Sequence, residues 1–296
     1  MGGMRVLVLG SGGQLGFELM RTTWPRGTTI AGVTHAKIDI TDDGAVERLI
    51  GAADCDLVLN AAAYTAVDRA EAEPAQAFAV NRDGAGHVAT ACARVGTALI
   101  HLSTDYVFDG TKRGAYVEDD PISPINVYGA SKAAGEDVVR ASLPRHLILR
   151  TSWVYGARGQ NFVKTMLRLA REREDIAVVD DQTGSPTAAP DLAAAIVHIF
   201  ERLFGLVDPW GTYHLCGAGT VTWHGFAHAI LSLRKAGTGA RPVLRPISSR
   251  EFAAPARRPS NSRLDCRRVA EVFGVACPPW HTSLARLLPE IEANLT

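Results

Sequence analysis

The stretch Arg5-Val-Leu-Val-Leu-Gly-Ser-Gly-Gly-Gln-Leu-Gly16 decides the fold. Arg5 to Leu9 is a short run of Val and Leu, the signature of a fully buried strand. Glycines follow at once, and helical material near Gln14 to Thr23 comes directly after. A glycine-rich turn between a strand and a helix lets the backbone approach a pyrophosphate closely. The free N–H groups of the helix start then face the anion. The spacing is Gly10-x-x-Gly13-x-x-Gly16, and Leu15 stands where the more familiar Gly-x-Gly-x-x-Gly pattern has its last glycine. The sequence context around this turn meets the demand that such a motif makes.

Outward from that turn the same rhythm repeats. Thr28 to Val33, Asp56 to Asn60, Thr97 to Leu102 and His146 to Arg150 read as further strands. Between them lie helical segments: one opened by Thr41 as a candidate cap, one over Pro74 to Val95, and one containing Ser131 to Ala141. Short strands separated by helix-length segments imply a parallel sheet with crossover helices. The expected fold class is α/β, a Rossmann-type doubly wound sheet with a smaller C-terminal lobe. Residues 1–150 form the expected dinucleotide-binding domain, with part of 190–216 returning to it, and 151–296 form mainly the substrate lobe. In that second part Asn161 to Arg173 and Asp191 to Phe204 read as helices, and Ile176 to Val179 and Tyr213 to Cys216 as strands.

Bulk properties remove several classes. Lys plus Arg equals Asp plus Glu at 31 each, so neither basic excess nor stripe points to nucleic acid. The five cysteines are scattered without a Cys-x-x-Cys pair, which argues against a disulfide framework or structural zinc and for a reducing cytoplasm. No apolar run approaches the ~18 residues of a membrane span. Partners are therefore a small-molecule substrate, without nucleic acid or membrane, in a monomer or homodimer.

Cofactor choice is written after the second strand. An acid there would bond ribose hydroxyls and favour NAD. Here Val33-Thr34-His35-Ala36-Lys37 holds no acid before Asp39. Thr34 can bond a hydroxyl or a phosphate, and His35 or Lys37 can reach a 2′-phosphate. The expectation is NADPH, with NADH also accepted. Farther along, Tyr128 and Lys132 are four residues apart and share a helical face. With six Tyr and five Lys in the chain, chance gives roughly 0.1 such pairs. An ammonium near a phenol lowers its pKa from about 10, so the phenol can give a proton to an alkoxide as hydride arrives. The fourth strand ends in Ser103-Thr104-Asp105, and a hydroxyl there can steady a substrate carbonyl oxygen.

Longer blocks narrow the reading. Asn60-Ala-Ala-Ala-Tyr-Thr-Ala-Val-Asp68, Ser103-Thr-Asp-Tyr-Val-Phe108, Ser123-Pro-Ile-Asn-Val-Tyr-Gly129, Arg150-Thr-Ser-Trp-Val-Tyr155, Asn161-Phe-Val-Lys-Thr-Met-Leu167 and Arg258-Pro-Ser-Asn-Ser-Arg-Leu264 occur in that order. Together with the turn and the Tyr–Lys pair they resemble the dTDP-4-dehydrorhamnose reductase family of the extended short-chain dehydrogenase/reductase superfamily. The resemblance implies reduction of the 4-keto group of dTDP-4-dehydro-β-L-rhamnose, the last step of dTDP-L-rhamnose synthesis. By it, Tyr128 donates the proton, Lys132 tunes it and binds the ribose, and Thr104 polarises the keto oxygen. Gly13, Gln14 and Leu15 line the pyrophosphate beside Gly10 and Gly16. Asp39 and Ile40 border the adenine, while Ala61, Ala62, Ala63 and Thr65 flank the cofactor. Asp105, Trp153 and Arg258 are implied substrate contacts, Trp153 as a flat wall and Arg258 as a diphosphate partner.

The chain also departs from the family. Some members carry an acid where Thr34 stands, and some form Mg2+-bridged dimers through glutamates. Glu18 matches one of these glutamates, but Pro190 replaces another, so no required metal is expected. His224 and His228 share a helical spacing without a completing acid and read as packing residues. Two other readings stay open beside the main one. A reductase for a different keto-deoxysugar nucleotide differs by few residues. A non-catalytic regulatory subunit, like that of methionine adenosyltransferase, would keep the fold without needing the Tyr128–Lys132 pair. A 4,6-dehydratase needs a second acid after Asp105, where this chain has Tyr106.

Overall fold

In a computed structural model that describes residues 3–234 and 242–295, the chain builds eight strands of at least four residues. These are β1 (Arg5–Leu9), β2 (Thr29–Val33), β3 (Leu57–Asn60), β4 (Ala98–Thr104), β5 (His146–Thr151), β6 (Asp175–Val179), β7 (Gly211–His214) and β8 (Val243–Ile247). Six of them form one parallel sheet in the order β7-β5-β4-β3-β1-β2. From β1 the chain passes to β2 on one side and then to β3 on the other. That reversal opens a crevice at the carboxyl ends of β1 and β3, the expected ligand position in an open parallel sheet.

Eight helices of at least eight residues cover the strands: α1 (Gln14–Arg21), α2 (Asp43–Ala53), α3 (Ala85–Val95), α4 (Val127–Ser142), α5 (Phe162–Glu172), α6 (Ala189–Leu203), α7 (Trp223–Leu233) and α8 (Trp280–Ala293). Successive strand residues point to opposite faces, and both faces are buried. Val6, Val8, Leu57, Leu59, Ile100 and Leu149 pack under α1 and α6. Leu7, Leu9, Val58, Leu99 and Ile148 pack with α2, α3 and Val139 of α4. This double burial explains why the strands read as unbroken apolar runs. A separate cluster of Val163, Met166, Leu167, Phe226, Ile230, Leu284 and Leu288 joins α5, α7 and α8 beneath the parallel β6–β8 pair.

Local chemistry adjusts several boundaries. Asp42, not Thr41, caps α2, accepting from the Ala45 N–H at 2.9 Å, while Thr41 bonds back to Asp39. The helical stretch after Pro74 is interrupted by a π turn over Ala79–Gly84 before α3 begins. The last sheet strand starts at Gly211 and stops at His214, two residues earlier at both ends than the apolar pattern suggests. β8 carries Pro246 and alternates weakly, so its parallel pairing with β6 had no sequence signal. No helix among the described residues is long and apolar enough to cross a membrane.

Candidate active site

The glycine turn sits at the end of β1 as a tight cradle. Gly10 has φ +78°, and a Cβ there would lie 2.7 Å from the Ala62 nitrogen. A Cβ on Gly16 would fall 2.1 Å from the Gly10 carbonyl oxygen, so α1 begins pressed against the turn. Gly13 offers no side chain to cap α1, which leaves the first N–H groups of that helix available to an anion. These features fit a dinucleotide pyrophosphate. Gln14 is held by Asn161, whose Nδ2 donates to Gln14 Oε1 at 3.0 Å, and Leu15 is buried in the core.

The neighbouring positions follow in register. The Ala61 N–H donates to the Leu9 carbonyl and the Ala62 N–H to Asn60 Oδ1, so Ala61, Ala62 and Ala63 continue β3 along the rim of the crevice. Thr65 is exposed just beyond them. Thr34 is half-buried and close to Gly12, while His35 and Lys37 are exposed. Asp39 is occupied: its Oδ1 accepts from both the N–H and the hydroxyl of Thr41, and the backbone bond holds its carboxyl below the usual range. Ile40 is buried, with its carbonyl bonded to His87 and its side chain over Gly84.

Asn126 caps α4 by accepting from the Gly129 N–H at 2.7 Å, which places Tyr128 in the first turn and Lys132 one turn on. Tyr128 is half-buried and Lys132 buried. Lys132 Nζ donates to the Leu102 carbonyl at 2.6 Å, at the end of β4. Two residues later, Thr104 donates to Asp105 Oδ1 at 2.9 Å and accepts from the Tyr106 N–H. The Tyr128 phenol also meets the Thr104 hydroxyl. The sheet and one helix therefore bring Thr104, Tyr128 and Lys132 together.

The electrostatics differ from the expectation that Lys132 lowers the phenol pKa. Burial pushes Tyr128 up to about 12, opposed by its bond to Thr104 and reinforced by Asp105. Burial pushes Lys132 down to about 8, with Glu136 pulling the other way. Desolvation is the largest influence on each group, and it acts against the charged form of both. Asp105, 2% exposed, is pushed up to about 7 by burial despite its bonds to Ser262 and Thr104.

Ser103, the neighbouring hydroxyl at the end of β4, is committed elsewhere. Its hydroxyl donates to Glu136 at 2.5 Å. Glu136 is wholly buried and also receives Arg150 at 2.9 and 2.7 Å and Arg140 at 2.6 Å. Burial raises the Glu136 pKa, but these bonds win and hold it below the usual range. Arg150 reaches on to the Glu118 carbonyl and His214, tying β5 to β7.

A cavity of about 810 Å³ opens beside this corner. Its apolar wall comes from Phe162, Met166, Leu169, Val178 and Trp223, and its polar rim from loops around Asp181, Ser249 and Arg258. Thr104, Tyr128 and Lys132 are not on that wall, but Arg258 is. Arg258 forks onto Asp68 at 3.0 and 2.8 Å and also bonds the Tyr106 phenol, whose ring meets Tyr128 edge-on at 5.9 Å. Arg258 and Tyr106 thus link the cavity to the catalytic corner. Trp153 has φ +47°, a strained backbone for a bulky residue, and stacks on Trp223 at 3.5 Å. Trp223, which the sequence did not single out, is the member of that stack on the cavity wall. Its signal was only an aromatic following the cap residue Thr222.

His224 lies 3.8 Å from Asp180, and His228 bonds Ser232. No group of three potential metal ligands occurs among the described residues. Glu18 is buried beside Arg21, which pairs with Glu290.

With this geometry in place, the chain can be set beside known proteins. The family described as RmlD substrate binding domain matches residues 4–293. The chain belongs to the RmlD family. A curated RmlD relative, the dTDP-4-dehydrorhamnose reductase of Sinorhizobium fredii, is 44% identical over 96% of this chain and 97% of its own length. The enzyme of the same name from Salmonella typhimurium is 40% identical over 99% and 100%. The crystal structure of dTDP-4-dehydrorhamnose reductase from Bacillus anthracis in complex with NADP superposes with a TM-score of 0.89 at 38% identity, covering 97% of this chain and 99% of that one.

Proposed function

We propose that this RmlD-family chain is an NADPH-dependent reductase that converts dTDP-4-dehydro-β-L-rhamnose to dTDP-L-rhamnose. The observation that carries the reading is the convergence of the Tyr128 phenol, the Thr104 hydroxyl and Lys132 at the carboxyl end of β4, beside an uncapped glycine turn. A nicotinamide dinucleotide, when bound, would supply the hydride. Tyr128 gives its proton to the 4-oxygen, and Thr104 donates a hydrogen bond to the same oxygen as charge builds. Lys132 holds the ribose and faces the phenol. Gly10, Gly13, Gln14, Leu15 and Gly16 receive the pyrophosphate; Ala61, Ala62, Ala63 and Thr65 border the dinucleotide, with Asp39 and Ile40 towards the adenine. Arg258, Asp105 and Trp153 hold the substrate, with the nucleotide in the cavity lined by Trp223. Residues 1–150 with β7 act as the dinucleotide lobe and 151–296 mainly as the substrate lobe.

NADPH is favoured because Asp39 spends its carboxylate on Thr41 and the remaining loop presents Thr34, His35 and Lys37. The protein acts in the cytoplasm as a monomer or homodimer. Purified protein with the enzymatically generated keto-sugar nucleotide should consume NADPH, followed at the nicotinamide band, with NADH slower. Tight nucleotide binding without oxidation of either cofactor would instead support the regulatory-subunit reading.

A further inference from the structure

We propose that Asn60 and His101 form a hydrogen-bond chain whose polarity disfavours the ammonium form of Lys132 in the free protein. The polarity of this chain follows from one end. The Ala62 N–H donates to Asn60 Oδ1 at 3.1 Å, which fixes the amide orientation. Asn60 Nδ2 must then donate to His101 Nδ1, 3.3 Å away. His101 is 1% exposed and its pKa is held well below the ordinary value by burial, then by Lys132 and His146, so the ring is neutral. With Nδ1 accepting, the ring proton resides on Nε2 and points at Lys132 Nζ, 3.4 Å away.

An ammonium there would set two donors against each other. An amine resolves the conflict: Nζ accepts from His101 Nε2–H through its lone pair and donates one of its own hydrogens to the Leu102 carbonyl. The groups facing Lys132 are consistent with this. Glu136, one turn along its own helix, draws the amine towards protonation, but Arg150 from β5 and Arg140 already occupy that carboxylate. Tyr128 is held neutral, and His146 from β5 faces His101 rather than the amine. Asn60 and His101 are positioning residues: they act through Lys132, and Ala62 couples them to the rim of the dinucleotide crevice. Their role deepens the proposed reductase but is read first from the tautomer and the lysine titration, so its failure would leave that function standing.

Nitrogen-15 NMR of the histidine-labelled protein should show His101 protonated at Nε2 and bare at Nδ1. The opposite tautomer would overturn the proposal. Labelled lysines should show Lys132 titrating near pH 8. Asn60→Asp keeps an acceptor for Ala62 and turns its second oxygen towards His101. It should flip the tautomer, aim a lone pair at Lys132, and move that titration up by at least about one pH unit. His101→Leu, which removes the donor, should also move it up. In active Asn60→Asp protein the alkaline limb of kcat/KM should shift by the same amount, which a merely structural lesion would not do. A Lys132 titration unchanged in both variants, or already above pH 10 in the wild type, would refute the chain. If neither variant folds, the wild-type tautomer decides.

Discussion

The corner at the end of β4 and the cavity beneath β6 are built on opposite principles. At the corner, Lys132 bonds a β4 carbonyl, Ser103 bonds Glu136, and Glu136 bonds two arginines. The bonds are largely buried and carried by two neighbouring strands and one helix. The cavity instead takes its apolar floor from α5, β6 and Trp223, and its polar rim from the loop at 181–182 and from a helical turn and loop over 249–260. Loops adapt more readily than a buried hydrogen-bond lattice. The protein therefore concentrates rigidity at the proposed proton-transfer corner and leaves adaptable walls at the proposed nucleotide site.

Substitutions can break that division. The largest effect is expected from Tyr128→Phe, which should lower kcat by roughly 10²–10⁴ while NADPH affinity, measured by fluorescence titration, hardly changes. Comparable loss of cofactor binding would show that the corner and the crevice are not separable. Arg258→Ala should act on recognition, raising KM for the sugar nucleotide on the order of 10–100-fold, the range of charge-assisted bonds, with a smaller change in kcat. Since Asp68 loses its partner in that variant, Arg258→Ala combined with Asp68→Asn separates the ligand contact from the unpaired carboxylate. A kcat defect as large as that of Tyr128→Phe would place Arg258 in the chemistry instead. Trp223→Ala should raise KM by up to about tenfold, the scale of one lost aromatic contact.

The smallest effect concerns stability and isolates Asp105. Its carboxyl is pushed up to about 7 by burial, so the folded state binds more protons than the unfolded state between the ordinary Asp range and neutrality. Stability is thus highest with Asp105 protonated and falls as pH rises through about 7. Asp105→Asn keeps an acceptor for Thr104 and removes that loss. Its Tm should exceed the wild type by about 3 °C or more at pH 8 and match it near pH 4. Equal melting at both pH values would show that Asp105 ionises freely.

Sequence periodicity exposed the strands β1 to β5 because both faces of the sheet are buried, and the four-residue spacing of Tyr128 and Lys132 because α4 is regular. β8 escaped notice: its pairing partner lies 68 residues earlier and Pro246 breaks its pattern. Trp223 and the rim residues before Arg258 were equally hidden, since only long-range packing brings them to one cavity. The resemblance singles out Thr104 over Ser103, and alternation along β4 supplies the physical reason by turning Ser103 towards Glu136 and Thr104 towards Tyr128. Spacing along α4 reports that Lys132 lies one turn from Tyr128 but not how deeply the phenol is buried, and burial sets the direction of its shift.

The pairing of β7 with β5 has a consequence during synthesis. Gly211 lies beside Leu147, so the outer side of β5 has no neighbour until some sixty further residues have been made. At roughly 5–20 residues per second, the nascent chain carries an apolar strand with bare amides for several seconds. A ribosome that stalls anywhere between these two strands would present a sticky, half-finished protein to chaperones, whereas one that stalls after His214 would release a sheet already sealed along that side.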